Sequence, residues 1–210
     1  MRKWYPPFLV AVSVIVSAVF YPRLPERIPT HWNAHGQVNG YGSKWVTLGL
    51  FPLATLAMWG VLRFLPTIDP RRENYAKFQG TYDLVMNLVL TLILLLQGVA
   101  IAGALGAPIA FRLLPVVIGA AFVVLGNAMP RARPNWWFGI RTPWTLSNDR
   151  VWERTHRVGG YLFVALGIVT ALATLLPETA TFVVIGVLGG ATALGTLVYS
   201  YVAWRQETSR

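Results

Sequence analysis

The chain has 210 residues, 55% hydrophobic and only 12% charged, where a soluble domain carries about 25% charged residues. Several apolar runs approach the roughly twenty residues that a helix needs to cross a bilayer, so a soluble globular fold is excluded. The net charge of +10 would suit nucleic acid, but the basic residues sit at the edges of apolar runs, where the positive-inside rule and anionic lipid place them. Direct nucleic-acid binding is therefore not expected. Cysteine is absent, which removes disulfides, thiol nucleophiles and thiolate metal sites.

Taken in order, Pro6 to Phe20 is the first apolar run. It has a signal-peptide look but no small-residue cleavage site, so a retained helix anchored by Trp4, Tyr5 and Tyr21 is expected. Residues 22–44 are polar and punctuated by Pro22, Pro25, Pro29, Gly36, Gly40 and Gly42, which predicts a fixed loop rather than a helix. The second span runs from Trp45 to Leu65. Pro52 inside it should kink the helix or leave one carbonyl without its donor. Residues 66–80 are polar, and the third span is expected over 81–105, followed by a Gly106-Ala107-Pro108 turn. The fourth runs from Phe111 to Met129 with Pro115 near its start, the fifth from Val158 to Leu176, and the sixth from Thr181 to Trp204. Six spans place both termini on one side. Lys and Arg then divide 14 to 4 in favour of the side holding the termini and residues 130–157, which orients those segments to the cytoplasm and the 22–44 loop outward.

The expected fold is all-α and integral to the membrane. Six transmembrane helices carry an ordered outer loop and a Trp/Arg-rich cytoplasmic cap. Residues 1–66 would hold helices 1 and 2 with the outer loop. Residues 67–210 would hold helices 3 to 6 with the cap at 130–157, in one packed bundle.

The cap is the densest feature. Residues 135–157 hold four of the nine tryptophans, four arginines and one of the three histidines, types that favour the bilayer interface. Asn135, Phe138, Gly139, Arg141, Thr142, Trp144, Trp152, Thr155 and His156 are its candidate residues. Ser147 or Asn148 should cap a helix beginning at Asp149, with Glu153 and Arg157 paired along it and Trp152 and His156 on one face. Residues 135–145 should be an irregular aromatic loop. Arg141 could bind a lipid phosphate, a carboxylate within the bundle, or a partner. No nucleophile pattern surrounds His156, so it is expected as a helix-surface histidine hydrogen-bonded to the cap, and no catalytic residue is assigned.

In the outer loop, Pro29, His31, Trp32, Asn33, His35, Gly36, Asn39 and Tyr41 form an aromatic, hydrogen-bonding platform suited to an external amphipathic peptide. His31 and His35 have a metal-ligand spacing if helical, but Pro29 and Gly36 oppose a helix and no second ligand type converges. No metal or other cofactor is expected. Within the third span, Gln79, Asp83 and Asn87 are four apart and line one face, with Gln97 near that stripe. Asp83 is the one acid expected near membrane depth, where an ionisable group needs a partner, and Arg141 is its natural candidate. In the sixth span, Gly186, Gly190, Ala191 and Gly195 should pack against Gly159, Gly160 and Gly167 of the fifth. A small-solute or ion transporter or channel, or a metal-dependent membrane enzyme, remain the alternative readings of the residues alone.

Two motifs give a more specific reading. Ile28-Pro29-Thr30-His31-Trp32-Asn33-Ala34-His35-Gly36 with Asn39-Gly40-Tyr41-Gly42-Ser43-Lys44 resembles the outer-loop signature of a bacterial membrane domain found in the SdpI family. Residues 135–148, then Val151-Trp152 and Thr155-His156-Arg157-Val158-Gly159-Gly160, resemble that family's second signature. The two occur in the same order and together span nearly the whole chain. One departure is Asn39, where the family pattern more often carries Asp. The resemblance implies immunity without enzymatic activity: protection of a producing bacterium against a secreted peptide toxin that collapses the membrane proton gradient. It further implies a signalling role, in which a small cytoplasmic winged-helix repressor is recruited to the inner membrane. The outer loop would meet the toxin and the cap would face the repressor.

Overall fold

The computed structural model describes residues 4–33, 35, 37–107 and 110–209. Its elements are α1 (Tyr5–Phe20), a hairpin of β1 (Arg27–Trp32) and β2 (Val38–Ser43), α2 (Lys44–Ile68), α3 (Tyr75–Ala104), α4 (Ala110–Ala128), α5 (Pro143–Ser147), α6 (Asp149–Leu172) and α7 (Glu178–Thr208). All the helices but α5 are long and apolar enough to cross a membrane, which gives six spans among the described residues. The fold is an all-α, six-span membrane protein. Two expectations on element bounds need correction. The third helix begins at Tyr75, not at Thr81, and bends at Phe78, whose φ of −137° is not helical. Residues 143–147 are not irregular: Pro143 starts a helical turn that Thr142 caps. The Gly106 turn is present with φ +80°, while Pro108 lies outside the described residues.

α1, α2 and α3 pack on one another, and α6 lies between α4 and α7. Contacts between α3 and α4 join the two sets. Polar side chains tie α1 to α3. Ser13 donates to Gln97 Oε1 at 2.7 Å, and Gln97 Nε2 donates to the Ser13 carbonyl at 3.0 Å and to Ser17 Oγ at 2.8 Å. Nearer the start of α1, the Tyr5 and Thr91 hydroxyls lie 2.8 Å apart. Gln97 thus faces α1, while on the expected stripe Gln79 is exposed, Asp83 half-buried and Asn87 buried.

α2 runs unbroken through two prolines, Pro52 and Pro66. Each lacks the N–H that would bond the carbonyl four residues earlier, and in lipid such a carbonyl must find another donor. Neighbouring helices supply both. Ser17 Oγ of α1 donates to the Leu48 carbonyl at 2.8 Å, and the Tyr82 hydroxyl of α3 donates to the Leu62 carbonyl at 2.5 Å. The prolines therefore become sockets that fix α2 against its neighbours.

Small residues set the closest helix pair, though not the pair expected. A Cβ added at Gly160 would stand 2.7 Å from the Gly126 carbonyl oxygen, and one at Gly167 would stand 2.5 Å from that of Gly119. The glycines of α6 therefore face α4, at seven-residue spacing on both helices, and let two antiparallel backbones touch. Of the others, Gly159 packs against Ile140 and meets Thr196 of α7, Gly195 of α7 reaches Leu162 of α6 as expected, and Gly186, Gly189 and Gly190 of α7 have nothing within 4 Å of an added Cβ. Gly160→Val should accordingly abolish a folded monomer in detergent, while Gly189→Val should melt within a few degrees of wild type. Equal tolerance in a thermal-shift measurement would refute the α4–α6 close approach.

Candidate functional sites at the two ends of the bundle

The hairpin stands where α1 ends and α2 begins. Ile28, fully buried, packs with Leu24, Leu48 and Ile101 beneath it, which anchors β1 on the ends of α2 and α3. The strands pair antiparallel, with irregular register around His31. Gly42 is needed because an added Cβ would lie 2.9 Å from Thr30 Cγ2. Lys44 is buried at the strand–helix junction. It pairs with Glu26 at 2.8 Å, donates to the Leu24 carbonyl at 3.3 Å and sits 4.6 Å from the Tyr21 ring centroid. Tyr21 in turn meets Trp45 at 4.2 Å between ring centroids.

Asn33 builds the hairpin's tip. Its side-chain oxygen accepts from His35 N at 2.9 Å and Gln37 N at 3.0 Å, which closes an Asx-type turn. The His31 ring meets Asn39 Oδ1 through Nδ1 at 2.5 Å, and His35 Nδ1 lies 3.1 Å from Thr179 Oγ1 at the start of α7. The two histidines thus take separate partners, and no cluster of three or more metal-ligating side chains exists among the described residues. Of the expected recognition residues, His31, His35, Asn39 and Tyr41 are exposed, and Pro29, Trp32 and Asn33 are partly buried. Gly36 lies outside the described residues.

The cap closes the opposite end of the bundle, against the end of α2 and the beginnings of α3 and α6. Asn135, fully buried, folds its loop. Its oxygen accepts from Trp137 N at 2.9 Å and Phe138 N at 2.6 Å, and its Nδ2 donates to the carbonyls of Arg133 and Phe138. Gly139 follows with φ +116°, a conformation that L side chains rarely adopt, and an added Cβ would overlap His156 Nε2. Thr142 and Thr145 form a reciprocal capping box for α5, and Thr142 Oγ1 donates to Ser200 Oγ of α7 at 3.1 Å. Asn148 caps α6 by accepting from Arg150 N and Val151 N.

His156 corrects its expectation. It is fully buried, not at the helix surface. Its ring stacks on Trp152 at 4.0 Å, Nε2 accepts the Ile140 N–H at 2.9 Å and Nδ1 faces the Trp152 carbonyl at 2.9 Å. The two bonds together require the neutral ring protonated on Nδ1. Trp152 is equally buried and donates Nε1–H to the Ala132 carbonyl. Trp144 lies against Tyr201 with ring centroids 5.1 Å apart. Thr155 is buried with its hydroxyl unpartnered among the described residues. Most of the expected cap residues are therefore framework; of them Arg141 is exposed, next to the exposed Trp136 and Trp137, which were not among the candidates.

Both expected ion pairs fail. Arg141 donates to the Trp136 carbonyl at 2.9 Å and forms no pair with Asp83, and Glu153 pairs with Arg133 at 2.7 Å, not with Arg157. The acid that joins cap to bundle is Asp69, which the sequence reading missed. Only 3% exposed at the end of α2, it accepts from the Tyr75 hydroxyl at 2.8 Å, Trp136 N at 2.9 Å and Arg71 N at 2.7 Å. Arg71 continues the link through Asp149 at 2.8 Å and the Leu146 carbonyl at 2.9 Å. The available signal was Asp69-Pro70 directly after a span, since Asp readily accepts backbone N–H bonds at such turns. Asp69→Ala would strand buried donors at about 1–3 kcal/mol each. It should destabilise the detergent-solubilised protein by roughly 3 kcal/mol, read by chemical or thermal unfolding. Wild-type stability in that variant would remove Asp69 from this role.

A profile of the SdpI/YfhL protein family matches residues 131–200. A second, for a domain of unknown function (DUF1648), matches residues 8–56. The first covers nearly the whole cap, α6 and most of α7, and the second covers most of α1, the hairpin and the first half of α2. "Immunity protein SdpI" of Bacillus subtilis (strain 168) is 28% identical over 165 residues, spanning 78% of this chain and 77% of that protein. No solved structure matches the chain. One match builds each end of the bundle, and with the similarity to the immunity protein running across three-quarters of both chains, the chain is similar to the SdpI family.

Proposed function

We propose that this protein confers immunity against a secreted, membrane-active peptide toxin from within the bacterial cytoplasmic membrane. Its relative's role as an immunity protein supports this reading. The observation that carries it is the hairpin. Exposed His31, Asn39 and Tyr41 stand on a two-stranded frame whose underside, Ile28, is locked into the helix bundle. Such a frame presents aromatic and hydrogen-bonding groups with little ordering left to do on binding, which suits an amphipathic peptide arriving at the membrane surface. In this reading the hairpin faces outward, and both termini and the cap are cytoplasmic. The 14 to 4 division of Lys and Arg supports that orientation. Catalysis has no part in it.

A signalling role would use the other end. Trp136 and Trp137 are 48% and 39% exposed beside exposed arginines, an aromatic and basic surface of the kind enriched at protein contacts. We assign the contact with a cytoplasmic winged-helix repressor to this patch rather than to the half-buried Trp144 or the buried Trp152 and His156.

In cells challenged with a membrane-depolarising peptide, His31→Ala with Tyr41→Ala should cut the tolerated dose by roughly tenfold, on the scale of one or two interface anchors. Membrane abundance should stay at the wild-type level. Undiminished protection, followed with a potential-sensitive dye, would take the hairpin out of recognition. Trp136→Ala with Trp137→Ala should leave protection intact and abolish induction of a repressor-controlled reporter. Normal induction would dispose of the cap's signalling role.

A further inference from the structure

A recess of about 290 Å³ opens at the cap end between α2 and α3, lined by Arg63, Tyr75, Gln79, Tyr82, Asp83 and Met86 among others. The tyrosine hydroxyls there are already engaged, Tyr75 with Asp69 and Tyr82 with the Leu62 carbonyl. Arg63 and Asp83 are not. Among the described residues neither forms an ion pair or a hydrogen bond. One unpaired cation and one unpaired acid therefore share a single partly open recess, held on two different helices.

Depth narrows the occupant. At 1.5 Å rise per residue, Arg63 lies about 27 Å along α2 from Trp45, so the two residues are separated by roughly one hydrocarbon thickness. With Trp45 at one interface, Arg63 reaches headgroup level at the other. α1 leaves this side open. Its contacts with α3 start at Tyr5–Thr91 and continue through Ser13–Gln97, so it covers α3 only beyond the recess. A lipid can approach along that uncovered flank, past Met86.

We propose that this recess binds the headgroup of a zwitterionic phospholipid bearing a primary amine, a phosphoethanolamine. The phosphate meets Arg63, the ammonium donates to the Asp83 carboxyl group, and Gln79 hydrogen-bonds between them. A phosphocholine headgroup has no N–H for Asp83, and a phosphoglycerol headgroup places no positive charge beside it.

The test is native mass spectrometry of the full-length protein in mixed nanodiscs with equal phosphatidylethanolamine, phosphatidylcholine and phosphatidylglycerol. The wild type should retain phosphatidylethanolamine over phosphatidylcholine by roughly tenfold, the size of one charge-assisted hydrogen bond. Asp83→Asn should bring the two within about twofold, and Arg63→Gln should weaken retention of all three lipids. Equal retention of ethanolamine and choline lipids by the wild type would overturn the proposal, as would selectivity that survives Asp83→Asn. Displacement of the lipid by equimolar glycerophosphoethanolamine would assign the recess to a water-soluble zwitterion and overturn the lipid assignment.

Discussion

A buried carboxylate cannot remain without partners in a low-dielectric setting, and Asp69 uses that constraint to join separate parts of the chain. Its side chain collects the Tyr75 hydroxyl from the start of α3, the Trp136 amide from the cap and the Arg71 amide from its own turn. Around it, Tyr75, Phe78, Tyr82 and Trp152 form one aromatic cluster, with Phe138 and Leu146 packed against it. The cap is therefore held by hydrogen bonds to a residue at the end of the second span and by aromatic burial above the third. The first three spans and the last three meet directly through α3 and α4, and Asp69 adds a second tie between the two sets.

Inside the spans, the bilayer dictates a different economy. No water is available to bond a freed carbonyl, so each proline in α2 needs a neighbour's hydroxyl, and Ser17 and Tyr82 supply them. Lipid chains are as apolar as leucine, so helices associate through close packing rather than apolar burial. The α4–α6 pair achieves this by removing side chains at four matched glycines. Chain features that would weaken a soluble helix, proline and glycine in its interior, here determine which helices touch.

The two signatures serve opposite kinds of work. In the cap, Asn135, Gly139, Thr142, Trp152 and His156 are consumed by folding: each is buried or conformationally obligatory, and their bonds run to the backbone or to other buried side chains. In the hairpin, Asn33, Lys44 and Gly42 do the structural work and leave His31, Asn39 and Tyr41 at the surface. A motif read from sequence does not separate these roles, because a residue needed to make a turn and one needed to meet a ligand look alike until burial is known.

The sequence by itself determined six spans, an ordered outer segment that is not helical, a cap for α6 at Ser147 or Asn148 and the shared face of Trp152 and His156. These follow from local rules: apolar length, glycine and proline placement, capping chemistry and helical period. Only the tertiary structure decided that Glu153 turns to Arg133, that Arg141 bonds a carbonyl instead of Asp83, that the α6 glycines face α4, and that Asp69 is the buried acid. Each of those depends on which elements lie side by side. A charged side chain reaches whatever the fold brings within a few ångströms, and helical spacing records only neighbours along one helix.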